Sequence, residues 1–353
     1  MLISHTHLQK EVDRLLGAYL DSRLGRRPFL RRALALGLSF SAASSLLAAC
    51  GGKATNVSLD VLNNWSGEEQ ASFQAVVAPF TNSTGISINI EATRDLNAAL
   101  NTRLNANDPP DIAVIPNPAQ LRQMASQQQL FPLDAFLDMQ QMRKNYDSDW
   151  LNLASYQDHL YALVYRVSNK GTIWYNPIHF QAHGYALPQT WDDLIALSDS
   201  IANNGAYPWS LGINSGETTG WPAADWIAEI YLRQFGATLY DQWVNHQIPW
   251  THASLKTAFQ LFGQIVGNRQ YIAGAPQSVL GNGYEMACYE PFSTPPQVYM
   301  DYLGDFAIGF ITNKFPTARP GLDFNFFPFP VLDPHYSSGI TVGADLVVAM
   351  RNT

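Results

Sequence analysis

Two carboxylates placed on either side of a glycosidic bond can split it. The candidates for such a pair are Glu68, Glu217, Asp225, Glu285 and Glu290. Sequence does not give their separations, and simpler roles exist. Glu68 suits the start of a helix, while Asp225 and Glu229 suit a helix face. Tryptophan gives a stronger signal. All nine Trp lie after Cys50, and roughly half should belong to the core. Two sit in polar loops: Trp65 in Asn63-Asn64-Trp65-Ser66-Gly67-Glu68, and Trp221 in Asn214-Ser215-Gly216-Glu217-Thr218-Thr219-Gly220-Trp221-Pro222. A flat ring covers the C–H face of a pyranose, while nearby amides and carboxylates bond its hydroxyls. Binding a sugar is the chemistry these loops suit best.

Other chemistries find less support. His179 and His183 are four residues apart, but Phe180 stands where a zinc-protease helix carries glutamate. Gly281-Asn282-Gly283 lacks the third glycine of a dinucleotide loop. The sequence has no phosphate loop, Gly-x-Ser-x-Gly elbow or nucleophile triad. No catalytic residue, metal ligand or cofactor is assigned.

The chain has 353 residues, enough for about two domains. Apolar residues make up 46% and charged residues 14%, a balance that argues against disorder. A net charge of −8 argues against nucleic acid as a partner. That charge is uneven. Seven Lys or Arg and three acids precede Cys50, leaving 14 basic and 26 acidic residues from there onward.

Residues 33–49, ALALGLSFSAASSLLAA, are uncharged, follow Arg31-Arg32 and end in small residues. A basic region, an apolar run and a small-residue cleavage site define an export signal, here residues 1–49. Arg26-Arg27-Pro28-Phe29-Leu30-Arg31 resembles the twin-arginine export motif, with Gly25 where Ser or Thr is commoner. That resemblance implies export of folded cargo. Leu47-Ala48-Ala49-Cys50 resembles the bacterial lipobox, which implies cleavage before Cys50 and a lipid on its sulfur. Two or more acyl chains give stable anchoring, so residues 50–55 become a tether outside the cytoplasmic membrane. Cys288 is then left alone, and no intramolecular disulfide can form.

Beyond the tether, the pattern predicts strands at Val57–Leu62, Ile86–Ile90 and Asp111–Ile115, with helices over 67–80, 94–106 and about 118–129 between and after them. Ser66 could cap the first helix. Strands alternating with helices predict a parallel sheet with helical crossovers. Further strands are expected at Tyr161–Tyr165 and Thr172–Tyr175. Helices are expected from the Thr190 cap to about 203, over 222–235 and over 252–268. Phe324–Phe329 reads as extended, and Gly339–Met350 as a strand returning to the first sheet.

These motifs together resemble the extracytoplasmic solute-binding proteins of bacterial ABC sugar importers, of the alpha-glucoside and oligosaccharide type. The stretches that carry the resemblance begin with Pro109-Pro110-Asp111-Ile112-Ala113-Val114 and Arg166-Val167-Ser168-Asn169-Lys170-Gly171-Thr172-Ile173-Trp174-Tyr175-Asn176-Pro177. They continue through Pro188-Gln189-Thr190-Trp191-Asp192-Asp193-Leu194, Pro208-Trp209-Ser210-Leu211-Gly212 and Gly220-Trp221-Pro222-Ala223-Ala224-Asp225-Trp226-Ile227. The last is Tyr240-Asp241-Gln242-Trp243-Val244-Asn245-His246. The resemblance covers roughly residues 56–353. It implies an α/β, two-lobe, type II periplasmic-binding-protein-like fold, with lobe 1 at 56–166, lobe 2 at 167–330 and a return strand at 331–353.

The same resemblance implies a monomer whose cleft closes on an intact carbohydrate and is read by ABC permease subunits. It places ligand contacts at Trp65, Glu68, Asn117, Asn169, Lys170, Glu217, Trp221, Tyr289, Glu290, Phe292 and Asp345. It also implies C-terminal helices beyond Thr353, so the sequence reads as truncated, with apolar surface exposed near residues 340–350. Relatives can carry a cysteine at the Ser210 position to pair with the one matching Cys288, and Ser210 removes that option here. A secreted glycoside hydrolase and a surface carbohydrate-sensing or adhesive module are the alternative readings.

Overall fold

The computed structural model describes residues 57–351 apart from Ser66 and Ala275, together with Arg14, Leu15, Phe29, Arg32 and Ala33. Arg26, Arg27, Cys50 and the expected cap Ser66 lie outside the described residues.

The first sheet starts with β1 (Ser58–Asn63), which is followed by α1 (Gly67–Thr84) with Glu68 and Glu69 in its first turn. Carboxylates there face the positive end of the helix dipole. α1 crosses over to β2 (Ser87–Ala92), and α2 (Leu96–Asn105) crosses to β3 (Ile112–Ile115). β1 pairs in parallel with both β2 and β3, as such crossovers require. The chain continues through α3 (Pro118–Ser126), α4 (Met139–Asn145), α5 (Ser148–Leu153) and a small hairpin, β4 (Ser155–Tyr156) and β5 (His159–Leu160). It returns to the first sheet as β6 (Ala162–Asn169).

Lys170 and Gly171 then carry the chain into a second sheet, which opens with β7 (Thr172–Tyr175). There follow α6 (Pro177–His183) and α7 (Trp191–Asn203). The Thr190 hydroxyl accepts the Asp193 N–H, and the Asp193 carboxylate accepts the Thr190 N–H, closing the predicted capping box. β8 (Tyr207–Ser210) precedes α8 (Trp221–Val244). The expected helix over 222–235 stops where Gly236 takes φ 78° and ψ 170°. The Tyr336 ring occupies the space a Cβ at Gly236 would need, so the kink is built around that contact.

Next come α9 (Ala253–Val266), α10 (Pro276–Gly281), α11 (Tyr284–Tyr289), β9 (Val298–Tyr302), α12 (Ala307–Lys314) and β10 (Asn325–Pro328). The second sheet has the order β10-β7-β9-β8. The chain finally re-enters the first sheet as β11 (Val342–Ala349), between β3 and β6, giving the order β2-β1-β3-β11-β6. β11 is antiparallel to both neighbours. The sheet is therefore mixed rather than all parallel, because a strand arriving from the other lobe enters from the opposite end.

Each sheet has its own core. Leu62, Leu100, Ile115, Leu121 and Leu346 fill the first, and Trp209, Trp226, Tyr231 and Phe329 dominate the second. Five of the nine Trp are buried, namely Trp65, Trp174, Trp191, Trp209 and Trp226, in line with the expected half. The expected apolar exposure near 340–350 is confined to Ile340 and Val342; Leu346, Val348 and Met350 are buried. β11 lies inside its sheet, so its alternate residues pack on the core.

Candidate functional site

The cleft lies between the sheets, and two chain crossings line its floor. In the first, Asn169 Oδ1 accepts the Gly171 N–H at 2.8 Å. In the second, the chain returns through Thr341, whose carbonyl accepts the Lys170 N–H at 2.9 Å. The Lys170 ammonium reaches Asp225 Oδ2 at 2.9 Å. It also lies 4.7 Å from the centroid of the Trp221 ring and 4.9 Å from that of Phe306, within cation–π range. Burial pushes the Asp225 carboxyl above its ordinary pKa, and Lys170 opposes that shift. Trp221 is half-buried against Tyr284 and Phe306.

On the first-lobe side, a chain of charges runs from β11 across the cleft. Asp345 meets Arg166 at 3.2 Å, and Arg166 meets Glu69 at 2.6 Å. Glu69 meets Arg94 at 3.6 Å, and Arg94 reaches Glu285 of the second lobe at 3.5 Å. The Arg94 guanidinium also lies 4.6 Å from the Phe310 ring centroid. Trp65 is only 2% exposed. Its ring packs on Phe73 and Tyr165, and its N–H bonds Asp345.

The lobes touch elsewhere too. The Thr312 hydroxyl donates to Glu68 at 3.4 Å, the Asn101 amide donates to Glu217 at 3.3 Å, and the Glu217 N–H points at Asp95. The structure thus gathers Trp65 with Asp345 and Lys170 with Trp221, and it sets Glu68 and Glu217 at inter-lobe contacts.

Four other expected contacts have neighbours within their own lobe. Asn117 caps α3 by accepting the Ala119 N–H. Tyr289 donates to Glu285 at 2.6 Å. Glu290 accepts from Ser210 and Asn282. Phe292 lines a concavity of about 590 Å³ on the second lobe with His179, Phe315 and Arg319. Ser210 is therefore spent on Glu290, while Cys288 is fully buried and its thiol is pushed well up by burial.

The five candidate acids of a hydrolase all have partners in the structure. Glu68 faces Thr312, Glu217 faces Asn101, and Asp225 faces Lys170; Glu285 faces Arg94 and Tyr289, and Glu290 faces Ser210. Among the described residues no group of three or more His, Cys, Asp or Glu could hold a metal ion. His183 stacks on Tyr185 and His179 packs against Tyr299.

Sequence reading missed Glu69, Arg94, Arg166 and Phe306. Glu69 and Arg94 each follow a strand of the first lobe, at the sheet end where α/β ligand sites gather, and that was the available signal. The sequence suits Asp225 to a helix face, whereas in the structure it is half-buried beside Lys170.

Two α/β lobes, two chain crossings and a charged, aromatic cleft between them define a two-lobe solute-binding protein. Residues 64–349 match the family of bacterial extracellular solute-binding proteins, and the chain belongs to that family. Osmoprotective compounds-binding protein GgtB of Synechocystis sp. is 33% identical over 313 residues, covering 87% of this chain and 73% of its own length. Alpha-glucosides-binding periplasmic protein AglE of Rhizobium meliloti is 32% identical over 280 residues, covering 77% of this chain and 60% of its own. The chain thus spans somewhat under two thirds of the second relative. Among solved structures, the bacterial solute receptor AcbH has a TM-score of 0.69 at 21% identity, over 84% of this chain and 72% of that one. RafE in complex with raffinose has a TM-score of 0.63 at 18% identity, over 84% and 74%. Both share the fold.

Proposed function

We propose that this protein captures a sugar or oligosaccharide outside the cytoplasmic membrane and delivers it unaltered to the permease of an ABC importer. The observation that carries this reading is the pairing of the half-buried Trp221 ring with Lys170 and Asp225 at the cleft floor. A ring for the C–H face beside groups for the hydroxyls is what a pyranose needs. An alpha-glucosides-binding relative and a raffinose complex of the same fold support a carbohydrate.

The proposed contacts narrow to Trp221, Lys170, Glu68, Glu217 and Asp345, with Trp65 acting through its hydrogen bond to Asp345. Glu69 Oε2 is buried without a hydrogen bond, with Arg94 3.6 Å away, and offers an acceptor to a ligand hydroxyl. A ligand touching both lobes favours the closed form by its differential affinity. Arg26-Arg27 would direct export, and a lipid on Cys50 would hold the molecule, as a monomer, at the outer face of the cytoplasmic membrane. No bond in the ligand is made or broken.

Thermal-shift screening against a panel of mono- and oligosaccharides tests the reading. A ligand at about 100 times its Kd adds about 2.7 kcal/mol, or about 4 °C in Tm. A flat response from folded protein to every saccharide removes the sugar assignment. Release of product from an oligosaccharide would instead favour a hydrolase.

A further inference from the structure

A buried ion pair is costly unless its geometry is good and its remaining polar atoms are satisfied. The second lobe contains one outside the charged cleft. Glu229 is 0% exposed and Arg233 is 3% exposed, one turn apart on α8. Arg233 Nε meets Glu229 Oε1 at 2.5 Å. The pair lies where the lobes are joined. Glu229 Oε2 accepts both the backbone N–H of Thr341, at 2.9 Å, and its hydroxyl, at 2.5 Å. Thr341 is the last residue before β11 on the returning crossing. Arg233 Nη1 donates to the Ser337 carbonyl at 3.3 Å, and the Arg233 carbonyl accepts the Asp333 N–H at 3.3 Å.

The outgoing crossing runs against the same pair. A Cβ on Gly171 would lie 2.6 Å from Glu229 Oε1 and 3.5 Å from Arg233 Nη2. Only glycine lets the crossing pass so close to the ions. The crossings are also bonded to each other through Lys170 N–H and the Thr341 carbonyl.

We propose that Glu229 and Arg233 are positioning residues for lobe closure, a buried clasp that fixes both crossings to the second lobe. Asn169 belongs to the same body, since its N–H and its carbonyl are both bonded to Asp305 of the second lobe. The crossings then move with that lobe, and bending is confined to the first-lobe side, at Val167-Ser168 and the paired Gly343-Ala344. This inference does not depend on which ligand the cleft takes.

Hydrogen exchange on the full chain without ligand tests it. In Glu229→Gln one carboxylate oxygen becomes an amide donor, which opposes either the Arg233 guanidinium or the Thr341 N–H. Exchange at residues 168–172 and 337–343 should rise about ten-fold or more, while β1, β3 and α9 keep wild-type rates. Thr341→Val removes only the hydroxyl arm, and should raise exchange at the same two segments by about three-fold. It also keeps the test decisive should Glu229→Gln not fold. Unchanged exchange at the crossings, or the same acceleration throughout both lobes, would overturn the clasp.

Discussion

Trp65 donates its indole N–H to Asp345 Oδ2 at 3.1 Å, joining residues 280 positions apart. The donor follows β1 and the acceptor lies on β11, so the bond ties the first strand to the last. Burial is the largest influence on the Asp345 carboxyl and raises its pKa from 3.8, with Arg166 and Trp65 opposing. The folded protein therefore holds that proton more tightly than the unfolded chain. This contribution to stability is full below pH 3.8 and is lost as pH rises through the raised value. Asp345→Asn keeps an acceptor for Trp65 and leaves Arg166 its partner Glu69. Its Tm at neutral pH should be no lower than wild type, with less pH dependence above about pH 4. A clearly lower Tm at pH 7 would count against this account.

Trp221→Ala should abolish the ligand-induced thermal shift. The ring is only half-buried, so its loss should cost about 1–2 kcal/mol and lower the unliganded Tm by less than about 5 °C. An undiminished shift with the best sugar of the panel would remove Trp221 from the site.

Arg94→Ala removes the guanidinium that reaches from Glu69 to Glu285 across the cleft. Partly exposed pairs of this kind contribute about 0.2–1 kcal/mol each. Ligand affinity should fall about two- to five-fold, with Tm almost unchanged. Added salt should narrow the gap to wild type, since it screens the contact. A gap that persists at high salt would mean that Arg94 acts by packing on Phe310.

Trp226→Ala probes the second core. Trp226 is 1% exposed and packs on Trp209, Tyr302 and Phe329. Truncating a buried ring of this size costs about 3–5 kcal/mol. Chemical denaturation should show that loss, and a cost below about 1 kcal/mol would mean the core re-forms around the gap.

Much of the fold is legible from sequence where its signals are local. The alternation at Ile86–Ile90, the Pro109-Pro110 break and the Thr190–Asp193 box each lie within a few residues, and each forms near its expected place. β9 has no such signal. Val298 to Tyr302 is buried on both faces, so it shows no alternation, and a buried aspartate interrupts its apolar run. The site was legible as loops and not as contacts. Trp65 looked like an open platform because polar neighbours surround it in sequence. Its partners Phe73, Tyr165 and Asp345 come from three other segments, and only the assembled sheet brings them together.

The place of β11 inside the first sheet sets an order of assembly. β3 and β6 cannot be joined until Val342–Ala349 has been synthesised, long after the rest of that lobe has left the ribosome. The second sheet has all its strands by Pro328, so it can mature earlier. A nascent chain therefore carries an unfinished first half with an open seam. Until the returning strand arrives, the facing backbone edges of β3 and β6 lack the partner that closes the sheet.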